Sequence, residues 1–257
     1  MSTMHDPPTE AQRYIMRPTT LERYLKGLAN LNIPFQTVYL EPGAHLKSFS
    51  SIIPGLSSTP AMSPILSAIN VGDVGASIFW NIQKLCVVLP PVPIAGRPVA
   101  AGLNIDPLLE LLGTEPMIGV CLVRLGRFGI GIYQGSTLLE SKTDRRFVKG
   151  RHKKGGSSSN RFRRIREKQA DELYKKVCNL LHKQFESYER KLEHFFLGGE
   201  SSTLVGFSGK CTYLKTFDGI MRSRVLNIRE PSHEALQKLP QTLWESVVYE
   251  VKISLRD

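Results

Sequence analysis

The chain has 257 residues and a formal charge of +11, a balance that points to a polyanionic partner, either nucleic acid or an anionic membrane surface. With 41% hydrophobic and 22% charged residues, it is not disordered throughout, and its length fits one large domain or two small ones.

The N-terminus, Met1 to Pro8, lacks a basic start followed by an apolar core, so no secretory signal is expected. Residues 1–18 carry Pro7, Pro8 and Pro18 and are expected to form a mobile lead. Thr20 is a candidate cap for a helix over Leu21 to Leu31, in which Leu21, Tyr24, Leu25, Leu28 and Leu31 share one face. Pro34 ends it, and Phe35 to Leu40 alternates as a strand. Residues 41–76 are irregular, with one helical pattern around Met62 to Ile69. Lys84 to Leu89 reads as an apolar strand, and Asp106 to Leu112 as a short helix with Asp106 as cap and Pro107 at its first position.

Strands follow at Met117 to Arg124, Phe128 to Gln134 and Thr137 to Lys142, with a further one at Arg146 to Lys149, in an antiparallel meander. The first of these is almost wholly apolar and should be central. A basic loop rich in Gly and Ser comes next. From Lys142 to Lys168 there are twelve Lys/Arg against Asp144 and Glu167, so this stretch holds +10 of the chain's +11. The stripe Phe162, Ile165, Leu173, Val177, Leu180, Leu181, Phe185, Tyr188, Leu192, Phe195 and Phe196 predicts one amphipathic helix of about ten turns, stopped by Gly198-Gly199. Beyond it, Ser202 to Phe207 and Ser223 to Ile228 are expected as strands. Lys210 to Thr216, Ser232 or His233 to Lys238 and Thr242 to Val247 are expected as helices, and Tyr249 to Leu255 as a closing strand.

The pattern gives an α/β fold: a mixed sheet flanked by helices, with a basic Gly-rich loop leading into one long amphipathic helix. The regions expected after the mobile lead are an α/β portion at 19–115 and a loop-bearing domain at 116–257, which can also form one domain together. No segment reaches the roughly 18 apolar residues that span a bilayer. A soluble, monomeric cytoplasmic protein is expected, with no membrane partner. Cys86, Cys121, Cys178 and Cys211 form no C-x-x-C pair; three of them lie in apolar, strand-like or helical surroundings and read as buried free thiols, and a reducing compartment is expected.

Four constellations bear on chemistry. Gly129-x-Gly131-x-x-x-Gly135 has the wrong spacing for a dinucleotide loop and lies in a strand, where glycines permit close packing. Cys178 and His182, four apart on a helix, are only two potential ligands, so neither a metal nor another cofactor is expected. Ser157, Ser158 and Ser159 lack a positioned base and serve flexibility or polar contact with RNA. The unrelieved cations Arg161, Arg163, Arg164, Arg166 and Lys168, with Arg145, Arg146, Lys149, Arg151, Lys153 and Lys154 on the approach, are candidate phosphate-binding residues.

Gly126 to Gly135, followed by Lys-Gly-Arg-His-Lys-Lys-Gly-Gly-Ser-Ser-Ser-Asn-Arg-Phe-Arg-Arg-Ile-Arg-Glu-Lys-Gln-Ala at 149–170, resembles the Vms-like release-factor family, bacterial branch. That family is similar in fold to the GGQ-bearing middle domain of eukaryotic and archaeal class I peptide release factors. The resemblance implies action on the large ribosomal subunit with peptidyl-tRNA as substrate, hydrolysing the peptide-tRNA ester in ribosome rescue or translation quality control. It makes Gly155, Gly156, Ser159 and Asn160 the catalytic candidates. Bacterial members often read G-G-x-S-Q-Q-R-F, which places Ser159 and Asn160 where glutamines are usual. The eukaryotic branch has its glutamine one position earlier, at Ser158 here. Asn160 keeps an amide on a shorter arm and is the candidate tip group. The alternative implied by the missing glutamine is a non-catalytic ribosome- or RNA-binding protein.

Overall fold

The computed structural model describes residues 11–31, 33–46, 69–148 and 158–252. They divide into two compact units, one built from the chain up to Thr114 together with Gln241 onward, the other from Glu115–Pro240.

The first unit is an antiparallel six-stranded sheet in the order β1-β10-β4-β3-β2-β5. Its strands are β1 (Ala11–Met16), β2 (Gln36–Leu40), β3 (Ala76–Trp80), β4 (Lys84–Leu89), β5 (Arg97–Ala101) and β10 (Ser246–Lys252). Alternation along the strands divides two apolar faces. Tyr39, Phe79, Cys86 and Val88 share one cluster with Leu21, Leu25 and Leu28 of α1 (Pro18–Ala29) and Leu108 of α2 (Asp106–Leu112). Val38, Leu40, Ile78, Trp80, Leu85 and Val87 make the other, with Leu46, Ile69 and Val71.

Several expectations change here. The supposed lead contains β1, which pairs with the closing strand β10 from Ala11↔Val251 to Met16↔Ser246. β10 in turn pairs with β4, so the end of the chain completes the first sheet and does not stay with residues 116–240. Leucine periodicity placed α1 correctly, but it begins at Pro18 without a side-chain cap, so Thr20 lies inside it. α2 has the expected span, yet Ile105, not Asp106, occupies the cap position. β3 and β5 were not anticipated. The helical pattern at 62–68 lies outside the described residues.

The second unit is a four-stranded sheet in the order β8-β7-β6-β9, made of β6 (Met117–Arg124), β7 (Arg127–Gln134), β8 (Thr137–Arg145) and β9 (His194–Gly199). β6 is internal, as its apolar sequence required. It is antiparallel to β7 and parallel to β9, and β7 is antiparallel to β8. One face carries α3 (Ser158–Phe185), α4 (Ser201–Ser208) and a 3-10 helix at Thr212–Phe217. Leu173, Val177, Leu181 and Phe185 of α3 pack there with Cys121, Val123, Ile130 and Ile132 of the sheet. On the other face Leu236 of α5 (His233–Lys238) reaches Gly129 and Gly131 of β7. A Cβ on Gly131 would stand 2.8 Å from the Tyr133 ring and 3.2 Å from Leu236, while the Tyr133 hydroxyl donates to the Leu236 carbonyl at 2.8 Å. This strand needs its glycines for helix docking, and no phosphate loop is formed.

The long helix is shorter than its stripe. α3 ends at Phe185, a turn follows, and Phe195 and Phe196 belong to β9. A parallel strand buried on both faces continues an apolar run that periodicity alone assigns to the helix. Gly198 and Gly199 close β9 instead of α3; Gly199 has φ +141, and a side chain there would collide with the Val123 carbonyl.

Residues 201–208, expected as a strand, are α4: Thr203, Leu204 and Phe207 point inward while Val205 is exposed, a three- and four-residue spacing that fits only a helix. The region 223–228 contributes no strand, only a bridge from Leu226 to Gly198. Residues 146–148 are likewise not a strand. At the C-terminal side the helix expected through Val247 is a single turn, α6 (Pro240–Leu243), before β10. Ser232 caps α5 through the Ala235 amide at 3.1 Å.

Cys178 of α3 and Cys211 are joined in a disulfide, which overturns the reading of three of the four cysteines as buried free thiols. Cys86 and Cys121 are free and buried. Burial pushes the Cys86 thiol up to about 12 and raises that of Cys121 as well.

Candidate functional site

The site grows from the end of the β6-β7-β8 meander. β8 runs out past Asp144 and Arg145, and the chain returns as α3. Asp144 Oδ2 meets Lys176 Nζ at 2.6 Å and Arg146 Nη2 meets Glu172 Oε2 at 2.6 Å. Glu172 and Lys176 are four apart, hence on one helix face, and hold α3 alongside the departing strand. The Lys176 ammonium, with the Arg145 amide donating at 2.6 Å, holds the Asp144 carboxyl below its ordinary range. Further along, the Arg146 amide donates to the Gly126 carbonyl at 2.9 Å and Val148 packs on the core. The described chain therefore reaches residue 148 on a fixed track.

α3 divides into two parts. From Leu173 onward it has a buried stripe, but from Asn160 to Glu172 every residue is exposed or half-buried. This thirteen-residue stretch, roughly 20 Å long at about 1.5 Å per residue, forms an arm with a half-buried side at Phe162, Arg166, Gln169 and Ala170, the last packed against the core, and an exposed basic side. Arg161, Arg164 and Lys168, three and four apart, are exposed on one face. Arg163 is exposed and sits 3.9 Å from Glu167; Arg166 is half-buried, its Nε without a partner. No acidic residue occupies the first turn of α3. Cations beside a helix N-terminus oppose the macrodipole by about 0.3–1 kcal/mol each, a cost that bound phosphate would reverse.

The arm brings together Asn160, Arg161, Arg163, Arg164, Arg166 and Lys168 of the residues selected from sequence. Asn160 is exposed in the first turn, immediately after Ser159, and so belongs to the helix start. Arg145 is exposed at the end of β8, and Arg146 is engaged by Glu172. Lys149, Arg151, Lys153, Lys154, Gly155 and Gly156 lie outside the described residues.

Counting charge along the sequence missed a second group. Arg124 and Arg127 bracket the β6-β7 turn and Arg229 precedes α5, yet all three converge with Arg145 and Phe147 on a cavity of about 480 Å³. Their only signal in the sequence is an Arg-x-x-Arg across a turn, which is too common to select. Among the described residues no group of His, Cys, Asp and Glu could hold a metal ion, and no helix is long and apolar enough to cross a membrane. His182 lies edge-on to Tyr213, with ring centroids 4.6 Å apart.

Comparison with known proteins bears on this geometry. Residues 116–249 match the family described as Actinobacteria/chloroflexi VLRF1 release factor. Peptide chain release factor subunit 1 of Archaeoglobus fulgidus is 32% identical over 123 residues, covering 48% of this chain and 30% of the relative. The protein of the same name from Aeropyrum pernix is 38% identical over 72 residues, covering 28% and 19%. The chain thus spans less than a third of either relative. Among solved structures, the archaeal translation termination factor aRF1 aligns over 89% of this chain and 73% of its own, at 19% identity and a TM-score of 0.38. Dom34 of S. cerevisiae, a translation termination-like factor, aligns over 91% and 65%, at 7% identity and a TM-score of 0.31.

Proposed function

Given that the chain belongs to the Actinobacteria/Chloroflexi VLRF1 family of release-factor-like translation factors, we propose that it hydrolyses the ester of peptidyl-tRNA on the large ribosomal subunit. The setting would be ribosome rescue or translation quality control in the cytoplasm. The observation that carries this reading is the arm of α3: a helix start with exposed Arg161, Arg164 and Lys168 on one face, immediately following the Gly-Ser stretch of the sequence. Such an arm can follow phosphates into a narrow RNA cavity while the disulfide-linked second half of the helix stays packed on the sheet.

Chemically the protein need supply only position and polarity. The arginines would neutralise phosphates and fix the register. The Asn160 amide, in the first turn of α3, would help orient a water toward the ester carbonyl, with the RNA supplying the remaining proton transfers. Ser159 and the backbone at Gly155 and Gly156 would complete the approach.

A second reading rests on the same residues. Ser159 and Asn160 stand where relatives commonly carry glutamine, which favours a factor that binds ribosomes without cleaving. Single-turnover release from purified large subunits charged with peptidyl-tRNA separates the two. Release that falls at least about tenfold in Asn160→Ala supports hydrolysis. Salt-sensitive subunit binding with no peptide released would select the binding-only factor.

A further inference from the structure

We propose that the concavity beside the end of β8 is a binding site for a single unstacked RNA nucleotide, its base on Phe147 and its phosphate among Arg145, Arg229 and Arg124. The proposal deepens the RNA-binding reading above and does not depend on ester hydrolysis. The volume, about 480 Å³, falls in the range of small-molecule sites.

The walls are built rather than incidental. Arg124, which lines the cleft, donates from Nε to the Ile228 carbonyl at 2.7 Å, which restricts its guanidinium. Arg127 is ion-paired with Glu230, so the carboxylate on the cleft wall is already neutralised. Ser232 caps α5, and Pro231 is buried, which pins the segment carrying Arg229. Among the described residues no ion pair engages Arg124, Arg145 or Arg229. Three guanidiniums around one cavity repel one another unless an anion joins them, and their planar forks suit phosphate oxygens.

Phe147 supplies the second half of the recognition. The residue is 77% exposed, while the Arg146 and Val148 neighbours are anchored, one to Gly126 and Glu172, the other in the core. A large apolar ring held outward on a fixed segment beside arginines has no role in packing this unit. It is the arrangement on which an unpaired base stacks while cations take its phosphate. A duplex would not fit, because its bases are not available to the ring.

The test is fluorescence anisotropy of labelled single-stranded hexaadenylate titrated with the full chain at several salt concentrations. Phe147→Ala should weaken binding about tenfold, and Phe147→Tyr should restore it. Arg145→Ala and Arg229→Ala should each weaken binding and lower the salt slope by about 0.7. All these side chains are exposed, and far-UV circular dichroism verifies folding. Wild-type binding by Phe147→Ala, or equal binding of duplex RNA of matched phosphate number, overturns the proposal and leaves a plain electrostatic surface. If these variants bind hexaadenylate normally while Arg161, Arg164 and Lys168 remain essential for ribosome association, the nucleotide site fails and the arm reading survives. If they lose hexaadenylate in a protein that releases no peptide, the nucleotide site stands and the hydrolytic reading fails.

Discussion

Arg146 and Glu172 meet at 2.6 Å where β8 and α3 lie side by side, one helical turn from the contact between Asp144 and Lys176 at the same distance. Asp144 of β8 and Arg146 just beyond it supply an acid then a base, and their partners Lys176 and Glu172 follow α3 in the reverse direction. The pairing therefore selects one register of the helix against the end of β8, next to the basic stretch of the sequence.

These are surface pairs, each worth about 0.2–1 kcal/mol. Glu172→Ala should accordingly lower stability to urea by less than about 1 kcal/mol. The pH dependence has a defined sign. Asp144 is held below its ordinary carboxyl value by Lys176 and the Arg145 amide, so its contribution is present above the unfolded carboxylate pKa and fades as pH falls through the lower folded value. Lys176→Met should move the NMR titration midpoint of Asp144 upward toward 3.8, the value of an unperturbed carboxyl. An unchanged midpoint would show that the lysine is not the cause.

The arm predicts a separation of binding from stability. Replacing Arg161, Arg164 and Lys168 together by alanine removes three exposed cations from a helix start that already opposes them. Thermal stability should hold or rise slightly, whereas ribosome affinity should fall and its log-log salt slope should drop by about two. Filter binding across a potassium chloride series measures both affinity and slope. A triple variant with the wild-type slope would mean that the arm does not contact phosphate.

The disulfide gives a third prediction. Cys178 and Cys211 are 33 residues apart, and closing a loop of that size constrains the unfolded chain by roughly 3–4 kcal/mol. Changing both to serine should lower the denaturation free energy by about that amount without loss of fold. Thiol counting in denaturant should find two reactive groups before reduction and four after; Cys86 and Cys121 should stay silent until the chain unfolds, since both are wholly buried. Four thiols without reductant would remove the bond.

Periodicity in the sequence was sufficient where one cause acted alone. The leucines of α1 and the apolar run of β6 each had a single structural reading, and the structure keeps both. It failed where two causes coincide. Phe195 and Phe196 continue the stripe of α3 because the strand they occupy packs on the same cluster as the helix, with Phe195 stacked on Phe217 at 4.5 Å. The Cys178–Cys211 pairing and the joining of β10 to β1 link residues far apart in the chain, and nothing local announces either. Arg124, Arg145 and Arg229 form a cluster only after folding, so a window of neighbouring charge could find just one of them.

Gly131 tests the packing reading of the glycine-rich strand. Its missing side chain admits the Tyr133 ring and Leu236, and the Tyr133 hydroxyl closes the contact to α5. Gly131→Ala should cost about 1–3 kcal/mol by overpacking, and Tyr133→Phe about 1 kcal/mol through the lost hydrogen bond. Urea denaturation measures each. Stability unaffected by Gly131→Ala would show that α5 moves freely away from the sheet.

The chemistry of the helix start can be tested by adding what the relatives have. Ser159 and Asn160 precede Arg161-Phe162 with the spacing at which the resembling bacterial sequences carry two glutamines. Glutamine extends an amide one methylene farther than Asn160 does, and a single well-placed hydrogen-bond donor at a reacting carbonyl changes a rate by roughly 10²–10³. If wild type releases peptide through Asn160, then Asn160→Gln should retain or raise single-turnover release and Asn160→Ala should lose it. If wild type only binds, Ser159→Gln combined with Asn160→Gln should create measurable release without changing subunit affinity, because neither position alters the charge of the arm. Failure of the double variant to release peptide while still binding subunits would show that more than the amide has been lost, and would leave the protein as a binding factor.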